Sequence, residues 1–245
     1  MGTLETNHRI NTVEFYTPAT RAFVLTFHRF IVSEVQQMLA RAIQGISTPS
    51  ERRLIDAQHE LRAKVFAGRM GWSVHVENGQ ETDDFDALGP TYILVVTGSG
   101  TVVGCARLLP TTGPTMLAER FPQLLKSGRL EADPATAESS RFCVDTSLSE
   151  GRAGGVIHKA TLTMFAAIIE WSMANGYTKI VTATDIRFER ILKRAGWPMR
   201  RLGASCQIGN TIAVAGSLPT DEASFHRVRP SGYRSAIQAT HWHAA

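Results

Sequence analysis

Apolar positions recur along this chain at two periods, one helical and one alternating. From residue 19 to residue 44, "ATRAFVLTF" through "QMLARAI", the spacing is helical, which predicts a helical N-terminal extension over residues 1–50. "GISTPSE" punctuates it and makes Ser50 the expected N-cap before Glu51. "ERRLIDAQHELRAKVFAGRMGW" reads as a helix with Leu54, Ile55, Leu61, Val65 and Phe66 near one face. "ENGQETDDFDALGP" is acidic and turn-rich, hence a loop. The β-branched runs of "YILVVTGSGTVVGCARLLP" flank Thr97-Gly98-Ser99-Gly100 and predict a hairpin. Residues 115–130 read as a surface-lying helix.

The strand "SSRFCVDTSL" then feeds "SEGRAGG" and a long amphipathic helix, "VIHKATLTMFAAIIEWSMANG", that ends at Gly176. "KIVTATD" is a strand, "FERILKRAGW" a short helix, and "RRLGASCQIGNTIAVAGSL" two last strands. Residues 232–245 are expected to be a poorly ordered tail. This order predicts a mixed α/β sandwich over residues 51–231 rather than a uniform βαβ array.

Composition narrows the function classes. The chain has 245 residues, 43% hydrophobic and 20% charged, enough for one large core. Lys and Arg total 26 against 22 Asp and Glu, a net charge of +4 that suits an anionic ligand or an acidic partner without demanding nucleic acid. Cys105, Cys143 and Cys206 are odd in number and lack C-x-x-C spacing, which argues against a disulfide framework or a cysteine zinc site. A reducing, cytoplasmic setting is therefore expected. No stretch reaches the roughly 18 apolar residues that a membrane-spanning helix needs.

Four sets of residues carry candidate chemistry. "SEGRAGG" joins a strand to a helix N-terminus, where backbone N–H groups and the helix dipole attract phosphate. The Arg152-x-x-Gly155 spacing is similar to part of the pyrophosphate loop of the GNAT N-acyltransferases; a plain connection fits equally well. "ETDDFD" places Glu81, Asp83, Asp84 and Asp86 together without the EF-hand pattern, so it is either a cation site or a solvated acidic loop. Arg62, Arg107 and Arg141 lie in apolar surroundings and need partners, for which Glu138, Asp83 and Asp86 are the candidates. That network either only holds the fold or also does chemistry. Finally, residues 187–201 carry Arg187, Arg190, Lys193, Arg194, Arg200 and Arg201 against Glu189 alone, either a docking face or a solvated helix. No metal-ligand spacing is present among the eight histidines.

Taken together, these motifs resemble the acyl-homoserine lactone synthases, the autoinducer synthase family of bacterial quorum sensing. The resemblance rests on Arg62-Ala-Lys-Val65-Phe66 with Gly71-Trp72, and on Glu81-Thr-Asp83-Asp-Phe85-Asp86. Gly104 through Arg107 to Thr111 and Glu138-Ser-Ser140-Arg141-Phe142 follow in the family's order, and the match covers about residues 54–230. Ala137 stands where an aromatic residue is common in the family.

The resemblance implies a GNAT-like α/β/α sandwich with a mixed central sheet. It also implies a transferase without a prosthetic group. The amine of S-adenosylmethionine would attack an acyl thioester carried by acyl carrier protein or coenzyme A. The methionine carboxylate would then close the lactone and expel methylthioadenosine. By the same resemblance Glu138 would be the base, beside Arg141. Asp83 and Asp86 would face the substrate cations. Arg62 and Arg107 would hold the carboxylate or orient those aspartates. Phe66, Trp72 and Phe142 would wall the site, and Arg152 would meet donor phosphates. The alternatives are a GNAT acetyltransferase that uses acetyl-CoA on another amine and, more distantly, a basic nucleic-acid-binding regulator.

Overall fold

The protein is described by a computed structural model over residues 37–147 and 157–238. The extension up to residue 36, the "SEGRAGG" loop with Arg152, and residues 239–245 lie outside these described residues.

The first described element corrects the helical reading. Met38–Gln44 is a strand, β1. Its Met, Leu, Ala, Arg and Gln are helix formers, but seven antiparallel pairs with β4, Thr91–Thr97, override that propensity. Met38, Ala40 and Ile43 are buried as a result. Helix α1, Pro49–Arg62, is capped by Thr48 rather than Ser50. The Thr48 hydroxyl accepts the Glu51 N–H at 3.1 Å, and Glu51 accepts the Thr48 N–H at 2.9 Å, a reciprocal capping box with Pro49 in the first turn. The predicted apolar face holds: Leu54, Ile55, Leu61, Val65 and Phe66 are all buried.

Two very short strands follow, β2 (Val76–Glu77) and β3 (Gln80–Glu81), then a 3₁₀ turn at Asp84–Leu88. The expected hairpin is β4 with β5, Val102–Pro110. Residues 115–130 are only partly helical. Helix α2 covers Met116–Arg120, and Leu117 and Leu124 are fully buried, so this stretch packs inward instead of lying on the surface. Strand β6 (Thr136–Val144), helix α3 (Lys159–Ala174), strand β7 (Lys179–Asp185) and helix α4 (Ile186–Arg194) follow as read. The C-terminal part holds three strands rather than two: β8 (Arg200–Arg201), β9 (Cys206–Ile208) and β10 (Thr211–Pro219). A helix that the sequence reading did not foresee, α5 (Glu222–Val228), ends the run.

The sheet runs β1-β4-β5-β6-β7-β10-β8, with β9 on β10, and is antiparallel except between β6 and β7. Helices α1 and α2 cover one face, where Leu61, Leu94 and Leu117 are buried. Helices α3, α4 and α5 cover the other, around Phe165, Ile169, Leu192 and Trp197. This is the α/β/α sandwich with a mixed sheet.

Part of the expected tail is ordered. The Ala40 N–H donates to Arg234 O and the Ala236 N–H to Ala40 O, both at 2.9 Å, which covers the outer edge of β1. The Tyr233 hydroxyl anchors the segment on Glu170 at 2.6 Å. Long-range hydrogen bonds, absent from a composition-based reading, explain the difference.

Candidate active site

Two departures from regular structure open a cavity in this sandwich. Strands β6 and β7 pair only from Thr136↔Lys179 to Glu138↔Val181, then part. Beyond Glu138, β6 also carries a bulge. Cys105 pairs with Cys143 but Arg107 pairs with Ser140, so β6 has one residue more than β5 across that interval. Arg141 takes up the excess at φ +54°, a left-handed conformation that costs a non-glycine residue about 1–2 kcal/mol. The bulge turns the Arg141 side chain toward the cavity.

The cavity is about 1220 Å³ and is lined from both faces of the sheet. One wall is aromatic. The helix begun by α1 widens to a π-helix over Ala63–Arg69, and Gly71 at φ +64° reverses the chain. Trp72 thereby returns onto Phe66, with ring centroids 5.3 Å apart and planes 8° from parallel. The opposite wall is Phe142 with Phe188, whose ring centroids are 4.8 Å apart.

Behind the cavity lies a closed network of ion pairs. Arg62 donates to Glu81 at 2.5 Å and clasps both oxygens of Asp86 at 2.8 and 2.9 Å. Arg107 binds Asp83 through two nitrogens and Asp86 at 2.8 Å, and also donates to Ser140 at 3.1 Å. Arg141 reaches Glu81 at 3.0 Å and Asp83 at 2.7 Å. Tyr92 donates its hydroxyl to Asp86 at 2.7 Å. Asp83 also caps the 3₁₀ turn through the Phe85 N–H, and Asp86 accepts the Asp83 N–H. The turn chemistry of "ETDDFD" therefore presents the two aspartates to the arginines.

Three arginines thus meet three carboxylates. Burial alone would raise the Asp86 carboxyl, but the hydrogen bonds and charge of Arg62, with Arg107, hold it well below the usual carboxylate range.

Glu138 stands apart from this network. It is 1% exposed, and its carboxylate accepts the Met116 N–H at 2.9 Å and the Leu117 N–H at 2.5 Å. No arginine among the described residues forms an ion pair with it. Burial pushes its carboxyl up, against the pull of those two N–H groups.

The predicted residues therefore divide. Phe66, Trp72, Asp83, Glu138, Arg141 and Phe142 converge on the cavity. Arg62 and Arg107 are wholly buried behind it, and their donors are taken up by Glu81, Asp83, Asp86 and Ser140. They hold the aspartates, and neither lines the cavity. Asp86 is locked between them and Tyr92 and does not line the cavity either. Glu138 is no partner of the arginines; the third carboxylate is Glu81, also wholly buried. The signal for it was arithmetic, since three arginines in apolar surroundings need three anions and "ETDDFD" begins with one.

Comparison with known proteins agrees. The autoinducer synthase model matches residues 47–228. An acyl-homoserine-lactone synthase of Rhizobium radiobacter is 65% identical over 200 residues, spanning 82% of this chain and 94% of the relative. One from Pseudomonas aeruginosa is 37% identical over 168 residues, 67% of this chain and 82% of the relative. The crystal structure of the AHL synthase LasI superposes with a TM-score of 0.68 at 32% identity, covering 81% of this chain and 96% of LasI. The fold is also that of BjaI, a CoA-dependent acyl-homoserine lactone synthase solved with SAM and isopentyl-CoA, at a TM-score of 0.72 and 22% identity, covering 84% and 95% of the two chains. This breadth of match displaces the acetyltransferase alternative. With its motifs, fold and relatives in accord, the chain belongs to the autoinducer synthase family of acyl-homoserine-lactone synthases.

Proposed function

We propose that acyl-homoserine-lactone synthesis runs in the cavity between the Phe66–Trp72 pair and the parted strands, with Glu138 as the base. The observation that carries this reading is the contrast just described. Glu138 is a buried cavity-facing carboxylate that forms an ion pair with no arginine among the described residues, so it is free to exchange a proton.

In the first step Glu138, directly or through one water, takes a proton from the substrate ammonium. The amine attacks the thioester carbonyl, the C–S bond breaks, and the second proton of the nitrogen passes to the departing thiolate. The transient oxyanion falls to backbone N–H groups of β6 between Phe142 and Val144, on the side that has left β7; the Asp145 N–H is spent on Val103 O at 2.9 Å. In the second step the methionine carboxylate attacks its own γ-carbon, the ring closes and methylthioadenosine departs. Asp83, at the cavity edge of the network, faces the substrate cation. Arg141 fixes Asp83, and Arg62, Arg107 and Asp86 keep the whole assembly from collapsing. Aromatic rings exclude water from the acyl-transfer site.

For the donor, charge favours an acidic carrier protein. Arg187, Arg190, Lys193, Arg194 and Arg200 on α4 and β8 form a basic face, while Arg201 is spent on Glu189 at 2.6 Å. Coenzyme A would instead call on Arg152. Incubation with S-adenosylmethionine and a panel of acyl thioesters tests the reading. Lactone and methylthioadenosine are expected in equal amounts, and Glu138→Gln should suppress both. Undiminished methylthioadenosine release from that variant would overturn the role of Glu138.

A further inference from the structure

One cation of the cavity lacks a carboxylate partner. Among the described residues three guanidinium groups line it: Arg69, Arg120 and Arg141. Arg141 is matched by Glu81 and Asp83, and Arg120 by Asp84 at 2.9 Å. Arg69 has neutral partners alone among the described residues. Its Nη1 donates to Val144 O at 3.2 Å and to the Thr146 hydroxyl at 2.8 Å. Those contacts hold the side chain across the gap between the π-helix and the end of β6, while Nε and Nη2 have no partner among the described residues.

Position tells what the spare donors meet. Arg69 lies three residues after Phe66 and three before Trp72, so it shares their wall of the cavity. Its anchor, Val144 and Thr146, is where the parted strand ends. The substrate that this wall receives carries an ammonium and a carboxylate on one carbon. Arg62 and Arg107 are saturated and buried, and Arg141 is matched. We infer that Arg69 binds the carboxylate of S-adenosylmethionine.

This rests on the proposed function and deepens it. With Nη1 occupied by the protein, Arg69 offers the carboxylate an edge rather than its full fork. Holding one oxygen leaves the other free to attack the γ-carbon, so the contact suits a carboxylate that must later react. The guanidinium also offsets the charge of Glu138 and Asp83, which favours a substrate with both signs over a simple cation.

The test compares wild-type enzyme, Arg69→Lys and Arg69→Met. Each is assayed with S-adenosylmethionine and with its decarboxylated analogue, which keeps the amine and sulfonium, by reading thiol release from the acyl donor. The wild type should use the parent compound at a KM about 10- to 100-fold below that of the analogue, the worth of one charged hydrogen bond. Arg69→Met should erase that preference by raising the KM of the parent alone, and Arg69→Lys should retain part of it. The KM of the acyl thioester should not move. An Arg69→Met enzyme that keeps the preference overturns the inference. So does one in which the acyl-donor KM rises instead, which would assign Arg69 to donor phosphates. Equal loss on parent and analogue would make Arg69 merely structural and also overturn it. Should Arg69→Met fail to fold, the same comparison in Arg69→Lys decides. A wild type that releases no thiol with S-adenosylmethionine would sink the functional reading itself, a different outcome from any of these.

Discussion

Acidic side chains border the cavity in two places, and the protein treats them in opposite ways. Glu81, Asp83 and Asp86 are each clasped by two arginines, and Glu138 is held by two backbone N–H groups. An arginine cannot surrender its proton, and the pair that clasps Asp86 holds it as the anion. Backbone donors stabilise the anion less, and burial opposes it, so Glu138 keeps two accessible states. The same functional group is tied into scaffold in one place and, in the function proposed, serves as reagent in the other.

The sharpest way to break that contrast is Glu138→Gln. Acyl transfer should fall about 10²- to 10⁴-fold, because no base replaces the lost one. Circular dichroism and the unfolding midpoint should show a folded protein, since the Gln carbonyl still accepts one of the two N–H bonds. Near-normal turnover would put the base elsewhere. Arg62→Met strikes the other side. It strands Glu81 and Asp86 without their shared cation, and breaking a buried pair in this way costs about 3–5 kcal/mol. Urea unfolding should register that loss; an unchanged midpoint would mean the network is decoration.

Acid should separate the two sets in one experiment. Asp86 titrates below its unfolded value, so its contribution to stability is present above that value and fades as pH falls through the low folded one. Glu138 titrates above its unfolded value, so folding favours its protonated form. Its small contribution to stability is full at low pH and is lost as pH rises through the folded value. The proposed mechanism needs Glu138 ionised. Lowering the pH should therefore abolish kcat/KM before it unfolds the protein. Coincident midpoints for activity and ellipticity would refute the assignment.

Finer distinctions follow within the acidic turn. Asp84 has an 88% exposed side chain and, among the described residues, pairs with exposed Arg120. Asp84→Asn should change the KM for S-adenosylmethionine by less than about fivefold, as surface pairs are worth at most ~1 kcal/mol. Asp83→Asn, which cuts into the network, should raise it more than tenfold, roughly the worth of one charged hydrogen bond. Equal effects would reduce the turn to an electrostatic patch. The smallest effect belongs to the basic face. Reversing Arg190, Lys193 and Arg194 to Glu should raise the KM of a carrier-protein donor severalfold, vanish near 1 M salt where the Debye length is ~3 Å, and spare acyl-CoA.

What could be read from the sequence was what depends on near neighbours. The one-turn spacing of Arg62 and Phe66, the hairpin at Gly98 and the helix stop at Gly176 are local, and the structure has them. The partnerships were not local. Glu138 and Arg141, three apart on a strand, invited pairing, but the bulge at Arg141 sends its guanidinium to Glu81, 60 residues away. Arg62 and Arg107 looked like substrate ligands because charge type is visible in a sequence and saturation is not. Met38–Gln44 reads as helix in any local scale; only its pairing with β4 makes it a strand.

The closing of the β1 edge has a bearing on how the protein is made. Arg234 donates to the Gln37 side chain at 2.7 Å across 197 positions of sequence, and its backbone carbonyl takes the Ala40 N–H. On the ribosome, β1 is the first described strand to emerge, and its outer edge is the last to be covered. Until residues 234–236 clear the exit tunnel, that edge presents open backbone donors and acceptors to other nascent chains. At about 5–20 residues per second, the interval is on the order of 10–40 s. Ribosomes that stall within the last helix would hold the protein at the stage when it is most prone to pair with its neighbours.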